Sequence, residues 1–409
     1  MIQRLYGILL ACMFLPAIVT SQVDFDILRG EQSVSIPFEY ANNFILVEVR
    51  LFGMLPMSFI FDTGAEHTIL FQKEFADIFN TQYDIRVPII GSDLSREIYA
   101  LVARSIDIEV LGLQPLKRDI LVLEEDYLTL DEITGRPIHG ILGSSFFKNV
   151  VVQLDFKRQR LVLHSPTSFA RPEGTFHEFD LSIRSGKPYI LSSVSLGDNT
   201  SLDVTLLIDT GAGLPLLLHN NTDPRLSLPR DYILGRLGLG LGGFVEGHMG
   251  RIESLHLGEL VFPQILTSFQ DLSKSVMVDS TRFRNGLIGT QLLTRFHVYI
   301  DYVNEKMYLR TVGNYNRKFK MDKSGLFIFA MGQNLNIYIV QDTIENSPAA
   351  EADIRKGDII KKVQGLPATL YSLDNLLRIF QKREGKVIRL VIQRGQETMK
   401  KRIKLRELI

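Results

Sequence analysis

Apolar positions alternate with polar ones, or run unbroken for four to seven residues, along most of the chain before about residue 312. Segments 44–51, 106–111, 150–156, 161–164, 204–208, 252–257 and 298–302 are rich in Val, Ile, Leu and aromatics and are broken by glycine, which predicts strands. Helical spacing is confined to short pieces such as 73–80. The pattern changes beyond residue 319. A strand at 337–342, a Ser-Pro turn, a helix at 349–353, a turn at Lys356-Gly357 and a strand at 359–364 follow in order. A second helix is expected at 373–382, where Leu373, Leu376, Leu377 and Phe380 share a face and Ser372 stands at the capping position.

The strand-rich part contains a repeat. "FIFDTGAEHTIL" at 59–70 returns as "LLIDTGAGLPLLL" at 206–218, an offset of 147 residues (209 − 62). Each copy is followed by an apolar-apolar-Gly motif, Ile141-Leu142-Gly143 or Leu287-Ile288-Gly289. Measured from the aspartates, these glycines lie at 81 (143 − 62) and 80 (289 − 209). The Asp-aromatic pairs Asp155-Phe156 and Asp301-Tyr302 lie at 93 (155 − 62) and 92 (301 − 209). Two motifs held in register to one residue identify a duplication, with a linker expected near 165–175, where Pro166 and Pro172 interrupt the pattern.

Composition narrows the chemistry. The 409 residues carry 46 basic and 46 acidic side chains, so no net charge points to nucleic acid. Residues 1–21 have the layout of a signal peptide: Arg4, an apolar stretch, then Thr20 and Ser21 before Gln22. The apolar stretch is shorter than a spanning helix needs, so no stable membrane span is expected after cleavage. Cys12 is the only cysteine, which leaves the mature chain without disulfide, thiol or cysteine-metal chemistry and suits a bacterial periplasm or cell envelope better than a eukaryotic exterior. The eight histidines show no metal spacing. "GLGLGG" at 238–243 fits a dinucleotide pattern but precedes no helix and reads as a hairpin loop. The basic run 400–406 alternates with Ile403 and Leu405 as an edge strand would, so no nucleic-acid partner is inferred.

A carboxylate ending a strand among apolar residues is costly unless hydrogen-bonded or neutralised. In Asp-Thr-Gly, the glycine lets the chain turn and brings a backbone N–H to the carboxylate, while the threonine hydroxyl is free to bond across to a partner loop. Two copies related by a two-fold axis would bring Asp62 and Asp209 together. Carboxylates in contact share one proton, so that one accepts a proton from water while the other donates to a substrate carbonyl, without metal or cofactor.

These residues resemble the pepsin-like and retropepsin-like aspartic proteases, over about 33–312. The resemblance implies a mainly β, bilobed, acid-protease-like double β-barrel, with lobe 1 at 33–165 and lobe 2 at 176–312. It makes Asp62 and Asp209 the catalytic pair, supported by Thr63, Gly64, Thr210 and Gly211, with a peptide or protein substrate in the cleft between lobes. Pepsin-type enzymes usually carry a hydroxyl after the first glycine; here Ala65 and Ala212 stand there, as in retroviral enzymes, which predicts activity at milder acidity. Flap hairpins are expected near 91–103 and 238–250, with Tyr99 as a candidate flap tyrosine.

"SPAAEADIRKGDIIKKVQG" resembles the signature of a PDZ domain of the circularly permuted bacterial type, covering 319–409. It implies an α+β domain that binds a C-terminal peptide, with Ser324, Gly325, Leu326 and Phe327 as the carboxylate loop and the 373–382 helix as the opposite wall. Asp353 stands where that family commonly has glycine. The apolar end Glu407-Leu408-Ile409 is itself a candidate occupant of such a groove. Together the readings describe an exported aspartic endopeptidase with a PDZ domain; the alternative is a non-catalytic envelope peptide-binding protein on the same frame.

Overall fold

A computed structural model describes residues 25–28, 30–53, 56–90, 97–126, 130–197, 201–240, 243–272 and 283–409. The expected signal peptide and Cys12 lie outside them, as do 91–96 and 241–242 of the expected flaps. Strand makes up 49% and helix 11%, so the chain is mainly β. Among the described residues no helix is long and apolar enough to cross a membrane.

The alternating runs become strands because their apolar faces meet. Strand Phe44–Leu51 pairs with Pro56–Asp62 in an antiparallel hairpin whose inner residues Ile45, Val47 and Val49 are fully buried. Its counterpart is Lys187–Ser195 paired with Ser201–Ile208. In each copy the apolar-apolar-Gly segment runs parallel to the aspartate strand: Gly140–Gly143 against Pro56–Asp62, and Gly286–Ile288 against Ser201–Ile208.

A six-stranded sheet joins the copies, in the order Ser33–Pro37, Arg160–His164, Val151–Asp155, Phe296–Asp301, Lys306–Thr311 and His177–Asp180. At its centre Gln153 pairs with Tyr299. These two residues are equivalent under the repeat, at the offset of 146 that relates Asp155 to Asp301 (301 − 155), so the pseudo-two-fold axis passes between them. The lobes share one continuous hydrophobic core, from Ile27 to Met321. The strands of both lobes pack on this shared core, and each lobe has a smaller apolar cluster of its own beside it.

The C-terminal module has its own core and a sheet ordered Leu326–Met331, Ile337–Thr343, Ile359–Val363, Val387–Arg394 and Glu397–Lys404. Helix Leu373–Phe380 is capped as expected: Ser372 Oγ accepts the Asn375 N–H at 3.3 Å. Helix Pro348–Glu351 is shorter than the 349–353 expected, because Asp353 takes φ +51° and ends it. Asp353 stays in this left-handed geometry while accepting from Arg355, Arg394 and Lys401.

Candidate active site

Asp62 ends its strand and Asp209 follows Ile208 directly, so the two-fold axis sets the two loops face to face. The threonines interlock. Thr63 Oγ1 donates to Ile208 O at 2.6 Å and accepts the Thr210 N–H at 3.0 Å; Thr210 Oγ1 donates to Phe61 O at 2.7 Å and accepts the Thr63 N–H at 3.0 Å. Both threonines are fully buried. Four such bonds, each contributing on the order of 1 kcal/mol, lock the loops across the lobe boundary.

Within each loop the carboxylate is held by its own backbone. Asp62 Oδ1 accepts from Gly64 N at 2.7 Å and Ala65 N at 3.1 Å, and Asp209 Oδ1 accepts from Gly211 N at 2.8 Å. Glycine is required for proximity: a Cβ on Gly64 would stand 2.5 Å from Asp209 Cγ, and one on Gly211 would collide with the Asp62 carboxylate. The carboxylates hydrogen-bond to each other, which requires that one carry a proton. Burial, and then the charge of Asp209, push Asp62 well above the usual carboxylate range. Asp209 is also raised by burial, against the opposing pull of Arg284, the Gly211 N–H and Lys187. The pair is built to share a proton, with Asp209 the more readily charged member.

Behind the pair, Ser144 N donates to Ala65 O at 2.8 Å and Thr290 N donates to Ala212 O at 2.9 Å, so the apolar-apolar-Gly segments brace the loops symmetrically. In front lies a cleft of about 1730 Å³. Two hairpins wall it: Tyr83–Ile90 with Glu97–Val110, and Tyr232–Gly240 with Gly243–Arg251. Their apolar residues Ile85, Val87, Ile89, Tyr232 and Leu234 line the cleft. Alternation in "YDIRVPII" was the signal for the first set; none of these residues was singled out from sequence. Tyr99 does not line the cleft. Strand alternation sends its neighbours Ile98 and Ala100 into an apolar cluster and turns Tyr99 to the other face, under the Arg86 guanidinium at 3.6 Å.

The cleft continues to the C-terminal module, where Met321, Asp322, Leu326, Phe327, Leu377 and Gln381 line it. Ser324–Phe327 form a loop of inward N–H groups, already engaged by a carboxylate of the chain. Asp322 Oδ1 accepts from Ser324 N at 2.8 Å, Ser324 Oγ at 2.8 Å and Gly325 N at 2.7 Å, and Leu326 N donates to Ser324 Oγ at 3.2 Å. Burial pushes the Asp322 pKa up to about 6, and its Oδ2 is buried without a partner. The far end of the groove is also filled. Helix Leu130–Thr134 of lobe 1 lies against edge strand Leu326–Met331, and a Cβ on Gly135 would stand 2.9 Å from Leu373 Cβ and 3.8 Å from Ala330 Cβ. Leu408 and Ile409 pack against the lobe core, and Leu408 also lines the cleft that reaches this groove.

With this geometry in view, residues 47–146 match the family described as aspartyl protease, and 339–394 match the PDZ domain. The chain thus carries an aspartyl protease domain and a PDZ domain. No curated protein matches the chain. The protease match stops at Phe146; Asp209 lies beyond it and stands in the place of Asp62 by the repeat described above.

Proposed function

We propose that this protein is an aspartic endopeptidase. The observation that carries the reading is the reciprocal Thr63–Thr210 lock, which sets two buried carboxylates in contact with one shared proton between them. Water held by the pair loses a proton to the charged aspartate, which the cationic surroundings of Asp209 favour, and attacks the scissile carbonyl; the protonated aspartate donates to the carbonyl oxygen. The proton then passes to the leaving amine, and no covalent enzyme intermediate forms. Purified protein incubated with a mixed peptide library between about pH 3 and pH 8, spanning carboxylate and imidazole titration, is expected to cleave it, and Asp62→Asn is expected to abolish cleavage. Equal background turnover in both proteins would replace this reading with that of a peptide-binding protein.

The PDZ domain is assigned to hold a chain end of a substrate or partner, which has to displace Asp322 from the loop. Asp322→Ala is therefore expected to strengthen binding of a fluorescent peptide with a free apolar C-terminus; unchanged or weaker binding contradicts this. Residues 1–21 support export to a bacterial envelope, and protein isolated from its cell is expected to begin near Gln22 rather than Met1.

A further inference from the structure

The duplication supplies an internal control for the cleft, because register fixes which residue of lobe 2 takes the place of which residue of lobe 1. Leu46 pairs with Ile60 as Tyr189 pairs with Leu207, and two residues earlier Lys187 stands in the place of Phe44. Ile69 pairs with Ile141 as Leu217 pairs with Leu287, so His219 takes the place of Phe71. The Phe71 N–H donates to His139 O and the His219 N–H to Asn285 O, the same bond in each copy. The parallel neighbour of His219 is Gln270, where lobe 1 has Leu123. Five residues before the bracing glycine, lobe 2 has Arg284 where lobe 1 has Ile138.

In lobe 1 all four positions belong to one apolar cluster, with Ile60, Ile69 and Ile141. In lobe 2 that cluster shrinks to Tyr189, Leu207, Leu217 and Leu287, and Lys187, His219, Gln270 and Arg284 all line the cleft. Both cations act electrostatically on Asp209, which places them beside the reacting centre. Arg284 Nε is a buried donor with no acceptor. That is half of a charge-assisted hydrogen bond, and a carboxylate is the acceptor that completes it most strongly. His219 contributes polarity rather than charge: its Nδ1–H donates to Gln270 O at 3.3 Å, and burial holds its pKa well below the usual histidine range.

We propose that the lobe 2 half of the cleft is a carboxylate-recognition subsite built on Arg284 and Lys187, with His219 and Gln270 as its polar wall. The peptide then presents an apolar side chain to lobe 1 and a carboxylate to lobe 2, either an Asp or Glu side chain beside the scissile bond or a free chain end. This deepens, and rests on, the peptidase reading.

The test is a mass-spectrometric cleavage profile of a peptide library, run in C-amidated and free-acid forms, for the native protein, Arg284→Gln and Lys187→Gln, each at its own pH of greatest activity. Native protein is expected to favour an acidic residue on one side of the cut by roughly 10- to 100-fold over its amide, the span of a hydrogen bond to a charged group. Both variants are expected to lose that preference while still cutting neutral peptides. Preference retained with C-amidated peptides assigns a side chain, and preference confined to free acids assigns a chain end. A native profile indifferent to acidity, or a variant losing acidic and neutral substrates equally, overturns the proposal, since the cations then act only on Asp209. Affinity selection of the same library on Asp62→Asn protein separates this from the peptidase reading. Retained peptides enriched in carboxylates, with the enrichment lost on adding Arg284→Gln, support the subsite even without hydrolysis; no enrichment overturns it.

Discussion

Lobes 1 and 2 share a frame and differ in lining. Most of what holds the two aspartates is matched: a threonine bonded across the axis, a glycine with no room for a Cβ, a following alanine, and a bracing segment behind; the Ala65 N–H alone differs, reaching the Asp62 carboxylate where the Ala212 N–H donates to backbone. The surroundings diverge: lobe 1 has the apolar cluster residues Phe44, Phe71, Leu123 and Ile138 where lobe 2 has Lys187, His219, Gln270 and Arg284 lining the cleft. The frame has one geometric solution, because moving either loop breaks bonds in both. The side chains at these four positions make none of the hydrogen bonds of the threonine lock, so the two copies were able to separate there.

The comparison is open to attack at each level, from the strongest expected effect down. Asp62→Asn and Asp209→Asn are each expected to reduce kcat by roughly 10³-fold or more, the scale of acid–base catalysis, with folding intact by circular dichroism; a tolerated change on one side would break the equivalence of the two loops. Thr63→Val and Thr210→Val each remove a donor to a buried carbonyl and are expected to cost about 2–3 kcal/mol in denaturant unfolding. Costs differing by more than about 1 kcal/mol, the worth of one bond, would show that the lock is not symmetric.

Arg284→Gln tests the walls through pH. Arg284 opposes the rise that burial imposes on Asp209, so its removal raises that carboxyl further. The acid limb of the pH–rate profile on a neutral peptide is then expected to move to higher pH; a downward shift would contradict the assignment. With or without Arg284, burial and mutual charge keep the pair above ordinary carboxylates, so the native optimum is expected above about pH 4, the free carboxylate value.

The smallest effect comes from giving lobe 2 the residue of lobe 1. His219 has a buried Nε2 without a partner, and His219→Phe is expected to stabilise by about 1 kcal/mol near neutral pH. Burial depresses the folded-state pKa of His219. The unfolded chain therefore binds the extra proton first, and stability falls as pH drops below about 6.5. Denaturant midpoints of the native protein and His219→Phe are expected to diverge over that interval; parallel curves would contradict it.

The frame was legible in sequence because its chemistry is local: Asp-Thr-Gly carries its own turn and hydrogen-bond donors, and the offset between copies shows that there are two. The PDZ helix cap at Ser372 was legible for the same reason, whereas the left-handed turn at Asp353 fell inside an expected helix. The walls were not. Lys187 and Arg284 sit in unremarkable stretches, "GKPY" and "RNG", and acquire meaning only when register sets them opposite Phe44 and Ile138. Tyr99 failed as a flap residue because strand parity decides its face: Ile98 and Ala100 beside it point inward, and a bulge between Ala103 and Ile106 resets the parity along its strand. Asp322 was missed because its carboxylate matters through three donors that follow it, not through any pattern of its own.

The turn at Asn42 and Asn43 ties these regions together. The Asn42 N–H donates to Asp374 Oδ1 on the PDZ helix at 2.9 Å, its Nδ2 donates to Ile133 O at 2.6 Å, and Thr290 Oγ1 of lobe 2 donates to Asn43 O at 2.5 Å. A scissors cut near residue 319 would therefore not release two ready-made pieces. It would strip Asp374 of its donor, lay Leu373 and Ala330 bare where Gly135 had covered them, and leave the severed helix with an oily flank in water. For anyone engineering this chain, the modular join that its sequence advertises is, in three dimensions, a mortised corner.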